Sequence, residues 1–240
     1  MSIRKLSVVG LCLVLGASFL AAQEIAAASE TDSSVPELTA FHEIIYPIWH
    51  TAYPEKDAAA LKGFVPQVNE LAAKVFAAKL PGILRDKEAK WQAGLAEFKS
   101  SVEGYNTAAK GDDVQALLDA AELLHAKYEM LVRTIRPVLK EMDEFHKVLY
   151  VVFHKSLPDK KWEDIRGFAP DLKAKAEAVT GAKLSARLEP KTPEFNAAAA
   201  DLLKAAVSLE ETCKGNDASG IEEAVLRLHT KYQALEKIFD

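Results

Sequence analysis

Shifting the sequence by 104 positions superimposes residues 41–135 on residues 145–239 without a gap, and 27 of the 95 pairs are identical. The matches include Pro54/Pro158, Gly63-Phe64/Gly167-Phe168, Pro66/Pro170 and Lys110-Gly111/Lys214-Gly215. The clearest blocks are "FHEIIYPIWH" against "FHKVLYVVFH" and "LHAKYEML" against "LHTKYQAL". Internal repetition constrains a fold before any local pattern does. A period this long exceeds that of a solenoid repeat, whose units run to about 50 residues, so each copy reads as a domain. The joint falls near Arg136-Pro137.

Within each copy the apolar spacing is that of helices. Leu38, Phe41, Ile45, Ile48 and Trp49 predict a first helix from Leu38 to Tyr53, closed by Pro54. A second helix runs to about Lys79, where "LPGILRD" breaks it, and Gly63-Phe64 with Pro66 imply a late start or a kink. Trp91, Leu95, Phe98, Val102 and Tyr105 mark one face of a third helix that stops near Gly111. Asp113 is the expected N-cap of a fourth, with Val114, Leu117, Leu118, Ala121, Leu124 and Leu131 on its apolar face. No segment alternates as a strand does. Long amphipathic helices with short connections predict an all-α protein of two tandem antiparallel four-helix bundles, residues 36–136 and 137–240.

The chain begins with Arg4 and Lys5, an uncharged apolar run to about Ala22 and then small residues, the pattern of a secretory signal peptide within residues 1–28. Cleavage is expected after Ala22 or after Ala28, and the product is exported, periplasmic or secreted. Cys12 leaves with that segment, so Cys213 remains as a single thiol without an intramolecular disulfide partner. The net charge of −5 becomes more negative once Arg4 and Lys5 are removed. Such a surface argues against nucleic acid or anionic lipid as partner, and no membrane association is expected after cleavage.

All six histidines obey the repeat: His42 with His146, His50 with His154, and His125 with His229. His42, Tyr46 and His50 are spaced by four, so each is turned about 40° and raised about 6 Å from the last, which makes a slanted stripe. His125 and Tyr128 lie on the apolar face of the fourth helix, level with the middle of that stripe if the two helices run antiparallel. Tyr150 and Tyr232 are their counterparts to Tyr46 and Tyr128 in the second copy. Neutral imidazole suits Zn²⁺, Cu²⁺ or Ni²⁺, and the leading expectation is one histidine-based metal site per bundle, with the four tyrosines as further ligands or supports. Non-covalent haem b, bridging axial histidines, is the first alternative. The second is a helical interaction module or scaffold whose histidines are structural.

Other chemistries find less support. "ELLH" resembles the Glu-x-x-His of di-iron bundles, but the second copy reads "LRLH" and inward carboxylates are missing. The acids that do repeat, Glu97/Asp201 and Asp119/Glu223, fall on polar faces. No Cys-x-x-Cys-His is present for covalent haem attachment. In expected shape and length the chain is similar to exported cytochrome b562-like and cytochrome c′-like bundles, without the motifs of either. No nucleophile with an ordered base and no phosphate-binding loop is found, so an enzyme is not expected.

Overall fold

A computed structural model describes residues 30–239, so the expected signal peptide lies outside the described residues. Among the described residues the chain is all-helical and has no strand. The first half contributes α1 (Pro36–Pro47), α2 (Ala58–Gly63), α3 (Val65–Ala77), α4 (Glu88–Lys110) and α5 (Val114–Ile135). The second contributes α6 (Lys140–Val151), α7 (Trp162–Thr180), α8 (Thr192–Cys213) and α9 (Ala218–Glu236). In the first half α1 packs on α3, α3 on α4, α4 on α5, and α5 returns to α1. In the second half α6 packs on α7, α7 on α8 and α8 on α9.

Helical periodicity explains what each element buries. Trp91, Leu95, Phe98, Val102 and Tyr105 of α4 are all buried, as their spacing requires. Phe41 of α1 meets Phe98 edge-on at 5.1 Å and Tyr128 of α5 at 5.4 Å. The buried apolar residues form two groups, one from Val35 to Ile135 and one from Met142 to Leu235. Tyr150 is the exception, because it comes from the second half and packs into the first group.

The polar residues follow the same local logic. Asp113 caps α5 by accepting from the backbone N–H of Ala116 at 3.1 Å, and Asp217 caps α9 by accepting from Ser219. Glu97 pairs with Lys127 across α4 and α5 at 2.6 Å, and Asp201 pairs with Lys231 across α8 and α9 at 2.8 Å. These pairs lie 104 residues apart and are solvated, so they contribute little to stability. Cys213 is a free, buried thiol.

The first helix departs from its expected course. Its α-helical part ends at Pro47, and Ile48–Ala52 form a π turn closed by the Tyr53 N–H donating to the Ile48 carbonyl at 2.8 Å. Val152–Ser156 form the same turn in the second half, where Val151 stands in place of Pro47. Proline therefore does not cause it. The wider turn rotates Trp49 and Phe153 toward α5 and α9, where each stacks on a histidine.

The helical segment ends at Ala52 with Tyr53 as its cap, immediately before Pro54, as expected, and a turn follows. In that turn the Glu55 N–H reaches the Thr51 carbonyl, and Lys56 takes a left-handed conformation with φ 54°. There Asp57 donates to Ala52 and Lys56 to Tyr53, the two bonds of a Schellman cap. In the second half Lys160, at φ 55°, donates to Leu157 and Lys161 donates to Ser156, the same pair of bonds.

The second helix of the first half is broken at Phe64. Two residues on, Pro66 has no N–H to offer the carbonyl of Lys62. Pro170 instead lies inside the continuous α7. The stretch after α3 folds into a 3₁₀ turn, Gly82–Lys87, matched by Ala186–Lys191. The first of these turns lies against α6 of the second half.

Candidate functional site

In the first half the expected site residues line one flank of α1 and its π turn. His42, Tyr46 and His50 are all exposed, Tyr46 to 54%. Tyr46 contacts both imidazoles, with ring centres 5.9 Å from His42 and 4.5 Å from His50. His125 is half-buried and lies flat on Trp49 at 4.1 Å, so its face is occupied by the indole. Burial holds its pKa below the usual histidine value, and His50 adds to the effect. Tyr128 is buried and donates its hydroxyl to the Leu38 carbonyl at 3.0 Å. That phenol is raised to about 12 by burial and serves as a tie between α1 and α5.

The same residue types sit deeper in the second half. His146 is only 9% exposed and stacks on the buried Tyr232 at 4.5 Å. Burial, then the neighbouring His229 and His154, push its pKa down to about 3. Tyr232 is driven well above the ordinary phenol value by burial. His229 lies flat on Phe153 at 3.7 Å, and His154 meets it edge-on at 6.1 Å. The structure thus brings His154 and His229 together with His146 nearby. Among the described residues, no group of three or more His, Cys, Asp or Glu side chains is arranged to hold a metal ion.

What distinguishes the halves is a neighbour. The turn Gly82–Lys87 covers the His146–Tyr150–His154 stripe, and Tyr150 is 1% exposed where Tyr46 is open. Arg85 organises the contact. Its Nη2 donates to Tyr150 Oη at 2.6 Å, its Nη1 lies 3.1 Å from His154 Nδ1, and its Nε donates to the Gly82 carbonyl at 2.9 Å. A guanidinium has no acceptor, so His154 Nδ1 must accept, which fixes that imidazole as the neutral tautomer protonated on Nε2. Burial and the Arg85 charge both lower the pKa of His154. Tyr150 in turn donates to Glu30 at 2.9 Å, and Glu30 pairs with Lys155 at 2.5 Å.

Gly82 is required at this contact. A Cβ at that position would lie 2.0 Å from Tyr150 Oη. Beside the contact, an open groove of about 980 Å³ runs between the halves, with Leu84, Met130 and Arg133 on one wall and Val138, His146 and Tyr232 on the other.

Gly82, Arg85, Glu30 and Lys155 were not among the residues expected from the sequence. Their signal is a break in the repeat: Gly82 and Arg85 stand opposite Ala186 and Glu189 within otherwise similar segments. Comparison with known protein families, characterised proteins and solved structures found no match.

Proposed function

We propose that this chain is an exported helical interaction module, two four-helix bundles in tandem, whose repeated His–Tyr–His stripe is a surface for docking protein segments. One observation carries the reading: in the second half that stripe already holds a turn of the same chain through Arg85, Tyr150 and His154. The histidines are then packing and hydrogen-bonding groups, in keeping with the flat stacks of His125 on Trp49 and His229 on Phe153. The basic and apolar first residues support export, so the partner would be met outside the cytoplasm.

Replacing Arg85 tests the reading. Arg85→Ala removes a charged donor from a part-buried phenol and an imidazole, an effect of about 1.5–3 kcal/mol for each such bond that is not replaced by water. Hydrogen exchange should accelerate at residues 82–87 and 150–155, and Arg85→Lys, which lacks the fork, should rescue only in part. Unchanged exchange at both segments in Arg85→Ala would refute docking as the role of the stripe.

A second reading, metal binding, is favoured by the 6.1 Å separation of His154 and His229. It requires Zn²⁺, Cu²⁺ or Ni²⁺ to bind with defined stoichiometry, one ion per chain if the second half alone holds it and two if both halves do. Titration calorimetry on the wild type and on His229→Ala decides it. A wild-type site lost in the variant supports metal, while no saturable binding excludes it. Haem binding would add a strong absorption band near the blue edge of the visible range in the same sample.

A further inference from the structure

The stripe of the second half is covered, but its counterpart in the first half is bare. His42, Tyr46 and His50 repeat His146, Tyr150 and His154 residue for residue, on the same helix-and-π-turn frame. An exposed tyrosine flanked by two exposed imidazoles is the surface that the second half hides beneath a glycine- and arginine-bearing turn. We propose that the bare stripe of the first half is a docking site for a turn of the form Gly-x-x-Arg presented by another protein. The proposal rests on the docking reading given above and names the occupant of its open copy.

Charge favours a cationic guest. Glu43 follows His42 in sequence, Glu129 lies beside His125, and Glu122 accepts from Tyr53, which stacks on Trp49. The second half carries Lys147, Gln233 and Leu226 at these three positions. On this side Arg133 pairs with Glu129 at 3.9 Å. An incoming guanidinium would therefore meet carboxylates beside the first stripe, as Arg85 meets Glu30 at the second.

A second copy of this chain fits less well. Its Gly82–Lys87 turn is engaged with its own second half. Its remaining turn, Ala186–Lys191, carries Ala186 where the contact needs glycine and Glu189 where it needs arginine. A head-to-tail contact of this kind would otherwise propagate into an open chain of molecules. These two differences end the series at two units and leave the first stripe for a different protein.

The probe is a cyclised peptide with the sequence of residues 79–88, "KLPGILRDKE", closed so that the turn is held. It is titrated into the full chain while the ring C–H resonances of the six histidines are followed by NMR. The expected result is a saturable shift of His42 and His50, with His146 and His154 unmoved because their own turn is tethered at high effective concentration. Peptides carrying Arg85→Ala or Gly82→Ala should bind at least tenfold more weakly, as should the Tyr46→Ala protein. Tyr46 is half exposed, so that variant is expected to stay folded, which circular dichroism verifies. Absence of saturable shifts at millimolar peptide, equal binding to Tyr46→Ala, or shifts confined to His146 and His154 would overturn the proposal. Shifts of His42 and His50 on raising the concentration of the chain alone would also overturn it, in favour of a second copy as occupant. If Arg85→Ala loosens the intact chain but the peptide fails, only the first-half site falls. If Arg85→Ala changes nothing, the docking reading itself falls.

Discussion

Acidification from pH 7 to 4.5 is expected to remove about 2–3 kcal/mol of stability through His146 alone, and His146→Phe should abolish that loss. The imidazole is held neutral in the folded state, with its pKa depressed to about 3 by burial first and by His229 and His154 second. In the unfolded chain it titrates near ~6.5. Above that value both states are neutral and the group has no effect on the equilibrium. As pH falls from about 6.5 toward 3, the unfolded state takes up a proton that the folded state refuses, so stability drops by about 1.4 kcal/mol per pH unit.

The surroundings reinforce the sign. Lys87 and Arg85 reach His146 from the 3₁₀ turn, His154 from the π turn and His229 from α9, and all of them oppose its protonation. Glu236, Asp143 and Asp86 are the nearby acids, and they act on Tyr232, which stacks on this ring. Denaturant melts at pH 7, 5.5 and 4.5 on wild type, His146→Phe and His146→Gln isolate the contribution, since the carboxylates titrate alike in all three. Parallel pH profiles would show that His146 is not the acid-sensitive group. His154 should act in the same direction at the junction, because its proton acceptance would set two cations against each other at Arg85.

The second large effect concerns the core. Phe41→Ala and Phe145→Ala should each cost about 3–5 kcal/mol, the range for removing a fully buried aromatic ring and leaving a cavity. Phe41 is enclosed by Phe98 and Tyr128, and Phe145 by Tyr232 and the second group of buried residues. If each half is a folding unit, Phe41→Ala should lose exchange protection in α1, α4 and α5 while α7 and α8 keep theirs. Phe145→Ala should do the reverse. A uniform loss across both halves in either variant would mean that the insertion of Tyr150 into the first core couples them into one cooperative unit.

These particulars show which features the sequence makes legible. Apolar spacing along α4 and α5 predicts their buried faces, except that Val114 at the start of α5 is exposed, because a helix repeats every 3.6 residues whatever its neighbours do. The Asp113 cap is equally local, a side chain answering an N–H three residues away. The π turn is not legible, since it depends on where Trp49 and Phe153 stack, and Pro47 suggests a cause that Val151 disproves.

The repeated histidines and tyrosines were legible in the sequence, but their arrangement and their partners Gly82 and Arg85 were not. Tyr46 and Tyr150 are the same amino acid in the same frame, yet one is open and the other enclosed. That difference comes from Arg85 and Gly82, some 65 residues away from Tyr150, and no local pattern links them.

The π turn also orders events in the history of the chain. A five-residue turn is one residue longer than the α turn it replaces, as an insertion into a helix would leave it. It occupies the same offset in both halves, Ile48–Ala52 and Val152–Ser156, and is followed in each by the same left-handed lysine. The simplest account is that the insertion predates the doubling and was inherited twice. The break at Phe64 occurs in one half alone, as does the pairing of Gly82 with Arg85, so both are younger or were lost from one descendant. On that account the ancestor was a single unit of about half this length, carrying the wide turn and its three histidines before it had a second self to hold.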